Sequence, residues 1–364
     1  MTHLNKMKPV LIILLVVFSL HMKAQQDTTK GSLTWSGYVD VYYAFDSGKP
    51  NDHVRPSFIY NYNRSNEVNL NLGFVKANYT ASNVRANLAL MAGTYAQYNY
   101  ASEQGLLKNV LEANAGARLS KNKNLWIDAG IFSSHIGFES AISKDCWNLT
   151  RSVLADNTPY YLSGAKITYG SDNGKWTLAG LVINGWQRIQ RETGNNTPAF
   201  GTQLIFKPNN NVTLNYSTFA GNTKPDSVKQ MRYYNNFYGI IQVTRRLGVI
   251  AGFDYGIEQK SKNSSNYNLL YATALILRYG LTNKLFLAGR VEYYQDEHGI
   301  IIATNTPNGF KTSGFSVNLD YAPAANMLCR IEGRTLKSKD AIFTENGTAV
   351  NNNYSIVTSF AISF

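Results

Sequence analysis

Ser133-Ser134-His135 sets two hydroxyls beside an imidazole, residue types that can make a nucleophile and its general base. Neighbours in one short stretch seldom reach that geometry, and no third group to orient the imidazole is identifiable. Beyond residue 24 the other histidines are His53 and His298, which with His135 fall in different connections and lack metal-ligand spacing. The glycines scatter through apolar stretches and form no phosphate-binding loop. These residues predict no enzyme, no metal site and no cofactor. The chemistry-bearing residues that do fall into a pattern are charged ones two positions apart. Arg330-Ile-Glu332-Gly-Arg334 is the densest case, and a spacing of two puts all three charges on one face of an extended strand.

The segments around those charges are strand-like. In Val84–Leu90, Val84, Ala86, Leu88 and Leu90 oppose Arg85 and Asn87; in Leu111–Leu119, Leu111, Ala113, Ala115, Ala117 and Leu119 oppose Glu112, Asn114 and Arg118. In Val68–Phe74 the apolar face is read as Val68, Leu70, Leu72 and Phe74, opposite Asn69, Asn71 and Gly73. Sixteen such segments begin near residues 34, 67, 84, 110, 125, 161, 176, 200, 212, 233, 247, 267, 285, 312, 327 and 354. Short turns such as 120–124, 170–175, 208–211, 245–247 and 281–284 alternate with longer connections, of which 133–160 is the longest.

This pattern predicts an all-β fold, a transmembrane antiparallel up-and-down β-barrel of about 16 strands with short periplasmic turns and long external loops. A soluble sandwich has shorter strands and no one-sided loop bias, and a solenoid needs a fixed repeat that is absent. Charged residues are only 16% of the chain, against about 25% in ordinary soluble domains. Trp35, Phe45, Phe74, Tyr79, Trp126, Phe132, Tyr169, Trp176, Phe206, Tyr255, Tyr279 and Phe315 fall near segment ends, where two aromatic girdles are expected.

Strand parity then assigns the inner wall. Its basic residues are Lys76, Arg85, Arg118, Lys166, Arg278, Arg290, Arg330 and Arg334; its acidic ones are Asp40, Glu112, Asp128, Asp254, Glu258, Glu292, Asp320 and Glu332. Eight against eight predicts weak ion selectivity. On the lipid face each Lys or Arg would cost about 2–4 kcal/mol at the midplane. The Arg330–Arg334 stripe suits either an ion-preference element or a cross-strand ion-pair network. The net charge of +12 is carried by the short turns, through Lys121, Lys123, Lys175, Arg245, Arg246 and Lys284. Basic residues at every second turn suit an anionic leaflet, whereas a nucleic-acid partner would need them clustered on one element.

Residues 1–24 read as a cleaved signal peptide, with Lys6 and Lys8 before the apolar run Val10–Leu20 and Met22-Lys23-Ala24 as the cleavage site. Residues 25–33 form a short N-terminal segment and 34–364 the barrel. Loss of Lys6, Lys8 and Lys23 lowers the formal charge from +12 to +9. Cys146 in a loop and Cys329 near a turn are expected not to pair. At the other end Tyr354, Ile356, Phe360, Ile362 and Phe364 share one face, opposite Ser355, Ser359 and Ser363. This stripe resembles the C-terminal signal read by barrel-assembly machinery, carried by Tyr354, Phe360, Ile362 and Phe364.

The segment His135–Ser140 and its continuation through 147–169 carry a resemblance to a known family. Gly137, Glu139, Asn148, Arg151-Ser152, Pro159-Tyr160 and Gly164 are similar to the Bacteroidota outer-membrane barrels of the beta-barrel porin-2, OmpL-like family. The resemblance implies an outer-membrane pore of a Gram-negative bacterium and names no substrate. The expected function is passive diffusion of small hydrophilic solutes. Loop 133–160 is a candidate constriction, lined by some of Glu139, Lys144, Asp145, Arg151 and Asp156, or else a lid over the mouth. Expected partners are outer-membrane lipid, the assembly machinery and small solutes; a homotrimer is compatible with sixteen strands without being dictated by them. The alternatives are a non-conducting adhesin or structural barrel acting through its external loops, and a lipid-hydrolysing barrel using Ser134.

Overall fold

The computed structural model describes residues 31–364. The expected signal peptide, and most of the segment after it, lie outside the described residues. The barrel strands are β1 (Ser32–Asp46), β2 (Val68–Thr80), β3 (Val84–Ala92), β4 (Val110–Arg118), β5 (Asn124–Ser133), β6 (Tyr161–Gly170), β7 (Trp176–Ile183) and β8 (Ala199–Asn209). They continue with β9 (Val212–Asn222), β10 (Met231–Gln242), β11 (Leu247–Gln259), β12 (Tyr267–Gly280), β13 (Leu285–Asp296), β14 (Phe310–Ala324) and β15 (Met327–Ser338). A small hairpin, β16 (Phe343–Glu345) and β17 (Thr348–Val350), sits in the last long connection before β18 (Asn352–Ser363).

Every barrel strand pairs antiparallel with its neighbours, and β18 pairs with β1, so the sixteen-stranded sheet is closed. Each strand starts within two residues of the expected position. Closure satisfies every ladder within the ring, the condition for a sheet to cross hydrocarbon. Alternation sets the faces: Leu88 and Leu90 are 52% and 55% exposed, while Ala89 between them is sealed inside. A belt of exposed apolar side chains of this size, present on fourteen of the sixteen strands, would aggregate in water and is the solvent-facing surface in lipid.

Four ladders carry register shifts, and the one between β1 and β2 changes the facing of an expected girdle ring. Asp40 of β1 faces Leu72, but Val41 faces Leu70, so Asn71 is an extra residue, a β-bulge. A bulge flips parity. Val68, at 78% exposure, points outward as expected, whereas Leu72 and Phe74 beyond the bulge face inward with Lys76. Leu72 and Phe74 pack with Tyr38, whose ring centroid lies 5.7 Å from that of Phe74. Three of the expected girdle rings are thus on the inner face. Phe74 is turned by the bulge, and Trp126 and Phe132 share the parity of Asp128; Arg85 stacks 4.4 Å over Trp126 and Lys166 lies 4.7 Å from the Phe132 ring. Trp35, Phe45, Tyr79, Trp176, Tyr255, Tyr279 and Phe315 are exposed on the outer face.

The barrel interior is filled by long connections turned inward. Helix α1 (Thr94–Asn99) packs Tyr95 and Ala96 against Leu72 and Met91. Phe58 of connection 47–67 meets Phe310 and Phe343. Trp186 of connection 184–198 and Ile300 and Ile302 of connection 297–309 also turn inward, and connection 134–160, with its short helix α2 (Val153–Asp156), packs Val153 and Leu154 among them.

Candidate functional site

The connection 134–160 is held against the inner wall from two sides. Its root docks on β8–β10. The His135 ring meets the Thr218 carbonyl at 2.8 Å through Nε2, and the His135 carbonyl accepts from Ser217 Oγ at 2.7 Å and Gln203 Nε2 at 3.0 Å. Gly137 N donates to Asn236 Oδ1 at 3.1 Å. Two loop rings then lie on inward-facing glycines of β11. A Cβ at Gly252 would stand 2.2 Å from the Phe138 ring, and one at Gly248 would stand 2.5 Å from Trp147.

The far side docks on β13–β15 through backbone amides. Thr150 N donates to Glu332 Oε2 and Val153 N to Glu292 Oε2, each at 2.6 Å; Leu149 N donates to Asn318 Oδ1 at 3.1 Å. Arginines of the wall answer with donors to loop carbonyls: Arg290 Nη1 to Thr150 O at 2.6 Å, Arg330 Nη1 to Ser143 O at 2.7 Å and Arg330 Nη2 to Cys146 O at 3.0 Å. Arg330 also forks onto Asp320 at 2.7 and 3.0 Å. Arg290 is surrounded by three carboxylates, Glu332 at 3.1 Å, Glu292 at 3.3 Å and the loop's Glu139 at 3.6 Å. Arg334 pairs with Glu292 at 2.7 Å. The Arg330–Arg334 stripe is therefore an ion-pair network that also grips the loop.

The loop carries its own brace. Arg151 donates to the carbonyls of Ser140 and Leu149 at 2.6 Å and of Ala141 at 3.2 Å. Ser152 caps α2 by accepting from Ala155 N at 3.1 Å, and its hydroxyl bonds Glu139. Burial pushes the Asp156 carboxyl up to about 6, against the pull of its bond from Asn61 Nδ2 at 2.6 Å and the fields of Arg334 and Arg151. Burial pushes His135 down to about 4, so its imidazole is neutral near pH 7. Ser133 Oγ donates to Glu112, and Ser134 Oγ accepts from Ile136 N. Both hydroxyls are engaged away from the imidazole. Cys146 and Cys329 are free thiols.

The family model described as "Putative beta-barrel porin-2, OmpL-like" matches residues 32–364. The chain belongs to this family. Among solved structures, the anion-selective porin from Comamonas acidovorans is 9% identical with a TM-score of 0.61, over 92% of this chain and 100% of that one. The outer membrane channel DcaP of Acinetobacter baumannii is 11% identical with a TM-score of 0.60, over 92% and 97%. OmpT of Vibrio cholerae in a trimer form is 11% identical with a TM-score of 0.56, over 91% and 99%. At these identities the likeness is one of fold. No curated protein matches the chain. As a porin-family barrel, the protein resides in the outer membrane of a Gram-negative bacterium.

In this porin-family barrel the five loop residues singled out from sequence divide in two. Lys144 and Asp145 are exposed at the loop tip; Glu139, Arg151 and Asp156 are buried, paired within the protein, and offer no surface to a solute. The wall residues divide as well. Asp254, Arg290, Glu292, Arg330, Glu332 and Arg334 are buried. Arg85, Glu112, Arg118, Lys166 and Arg278 keep partial exposure on the inner face. Sequence reasoning missed the connection 47–67, which closes over the same interior. Arg55 of that connection pairs with Asp46 at 3.0 Å, Tyr62 donates to Asp40 at 2.7 Å, and Asn61 bonds Asp156. Its signal would have been Arg55, the charge left over once Lys49 and Arg64 are set against Asp52 and Glu67, with Asp46 at the end of β1 as a partner.

Proposed function

We propose that the protein is a passive diffusion channel for small hydrophilic solutes, narrowed by the connection 134–160. The observation that carries this reading is the two-sided docking of that connection on the inner wall. It docks on β8–β11 and β13–β15, while Lys76, Arg85, Glu112, Arg118 and Lys166 on the inner face of β2–β6 keep partial contact with water. Fixed polar and charged groups on both sides of the remaining space set the entry barriers.

Purified full-length protein in planar bilayers is expected to give steady channels. Deleting residues 140–156 is expected to raise single-channel conductance; unchanged conductance in a folded deletion variant removes the loop as the constriction. Complete absence of conductance in the folded wild type would turn the reading to a non-conducting barrel that acts through its external loops. The partners of this reading are outer-membrane lipid, the solutes, and assembly machinery engaging the outward stripe Tyr354, Phe360, Ile362 and Phe364. The likeness to an outer membrane protein solved in a trimer form supports a homotrimer as the assembly to test.

A further inference from the structure

Sixteen charged residues of the barrel strands were assigned to the inner wall, in equal numbers of each sign, yet they are not equally available to water. Seven of the eight carboxylates are buried: Asp40, Asp128, Asp254, Glu258, Glu292, Asp320 and Glu332. Of the eight cations only Arg290, Arg330 and Arg334 are buried. The half-exposed remainder is Lys76, Arg85, Arg118, Lys166 and Arg278 against the single carboxylate Glu112.

Docked connections and neighbouring strand side chains together take up the buried carboxylates. Backbone amides of the connection 134–160 need acceptors, and they take Glu292 and Glu332. Tyr62 and Asn71 take Asp40, and Tyr234 and Asn236 take Asp254. The docked connection also buries Arg290 and Arg330 as donors to its carbonyls. The cations it does not reach, Lys76, Arg85, Arg118, Lys166 and Arg278, keep contact with water.

Four of the cations left behind lie on β2–β6, and Arg278 lies across the ring on β12, next to its short turn. Arg85 pairs with Thr80 near the end of β2, and Arg118 is the last residue of β4, so both lie towards the short turns. Lys166 faces Asp128 across β5–β6. Arg85 forks onto Asp128 at 2.7 and 2.6 Å and Lys76 reaches Glu112 at 2.5 Å. The side chains of Arg85 and Lys76 remain 33% and 24% exposed. Arg118, Lys166 and Arg278 form no ion pair among the described residues. The exposed loop tip adds one charge of each sign, Lys144 and Asp145, and leaves the excess unchanged.

We propose that these residues form a cationic collar in the short-turn half of the lumen, and that the channel passes small anions, carboxylates or phosphates, in preference to cations. The inference rests on the channel reading above and names its solute class. Charges of one sign on low-dielectric walls concentrate counter-ions, and the effect weakens as salt shortens the screening length below about 8 Å.

The test is the reversal potential of the full-length protein in planar bilayers under a gradient of KCl, repeated with potassium acetate and potassium phosphate. The expected sign is that of anion preference, growing as mean salt falls. Arg118→Gln with Lys166→Gln should move the potential towards zero, and Arg118→Glu with Lys166→Glu should move it to the cation side. Arg118→Lys should retain the wild-type value, and Lys121→Gln with Lys175→Gln in the short turns should leave it unchanged. Retention with acetate and loss with phosphate would assign carboxylates, and the reverse phosphates. A conducting wild type with zero or cation-directed potential overturns the collar and leaves the channel intact; so does an unshifted potential in a folded Arg118→Glu, Lys166→Glu variant. Absence of channels overturns the channel reading itself.

Discussion

Two buried titrating residues of the docked connection respond to pH in opposite senses. His135 is held at about 4, below its ordinary value of 6.5, chiefly by burial. As pH falls from 6.5 to 4 a released loop gains a proton that the docked loop refuses, so docking weakens on acidification. Asp156 is held at about 6, above its ordinary 3.8, again chiefly by burial. As pH rises from 3.8 to 6 a released loop loses a proton that the docked loop keeps, so docking weakens on alkalinisation. In the wild type the two slopes oppose each other. His135→Asn should therefore leave docking that weakens as pH rises from about 4 to 6, and Asp156→Asn docking that weakens as pH falls from about 6.5 to 4. Hydrogen exchange of residues 134–160 across that range reads both; parallel slopes in the two variants would contradict the assignment. Sequence alone could mark His135 and Asp156 as polar residues in a long loop. It could not show that they are buried, because their partners Thr218 and Asn61 lie 83 and 95 residues away.

At the scale of elements, strand positions were legible and side-chain facing was legible in most strands. Period-two alternation survives in a sheet with lipid on one side and water or packed polar groups on the other. It failed at β2, where the bulge falls at Asn71, and Gly73 two residues on had been read as an ordinary member of the opposite face. Facing in β5 was readable from Asp128 alone, and the aromatic character of Trp126 and Phe132 pointed the wrong way. The loop's docking was legible only as unusual length. Its rings are received by Gly248 and Gly252, which sit four apart on the inner face of β11 and had looked merely scattered. Gly252→Ala should place a methyl into the Phe138 ring and Gly248→Ala into Trp147, with the strands themselves undisturbed. Noisier or larger single-channel currents in both variants are expected, with unchanged thermal stability of the sheet. Wild-type currents would mean that the rings are not what seats the loop.

At the scale of the whole molecule, the ring is joined where β18 meets β1. Gly37 exchanges both backbone hydrogen bonds with Phe364, at 2.7 and 3.0 Å, and the Phe364 ring covers the place where a Cβ of Gly37 would be. Phe364 is otherwise 71% exposed towards lipid. Phe364→Ala removes that cover from the seam, and Gly37→Ala pushes the ring off it. Both should reduce the amount of folded protein recovered in the outer membrane, with channels of normal conductance from the fraction that assembles. Normal membrane levels of both variants would show that the ring does not help close the barrel.

The grip of the wall on the connection 134–160 also dictates an order of events. Thr150 bonds Glu332, 182 residues further along the chain, and Val153 bonds Glu292, 139 residues further. Neither partner is in place until β13 and β15 have joined the sheet, so loop docking is a late step with a long closure distance. The brace around Arg151 spans no more than eleven residues and needs no wall. A locally folded loop can thus wait, hydrated, in a sheet that is still open, and it docks on the inner wall only after the circumference is nearly complete.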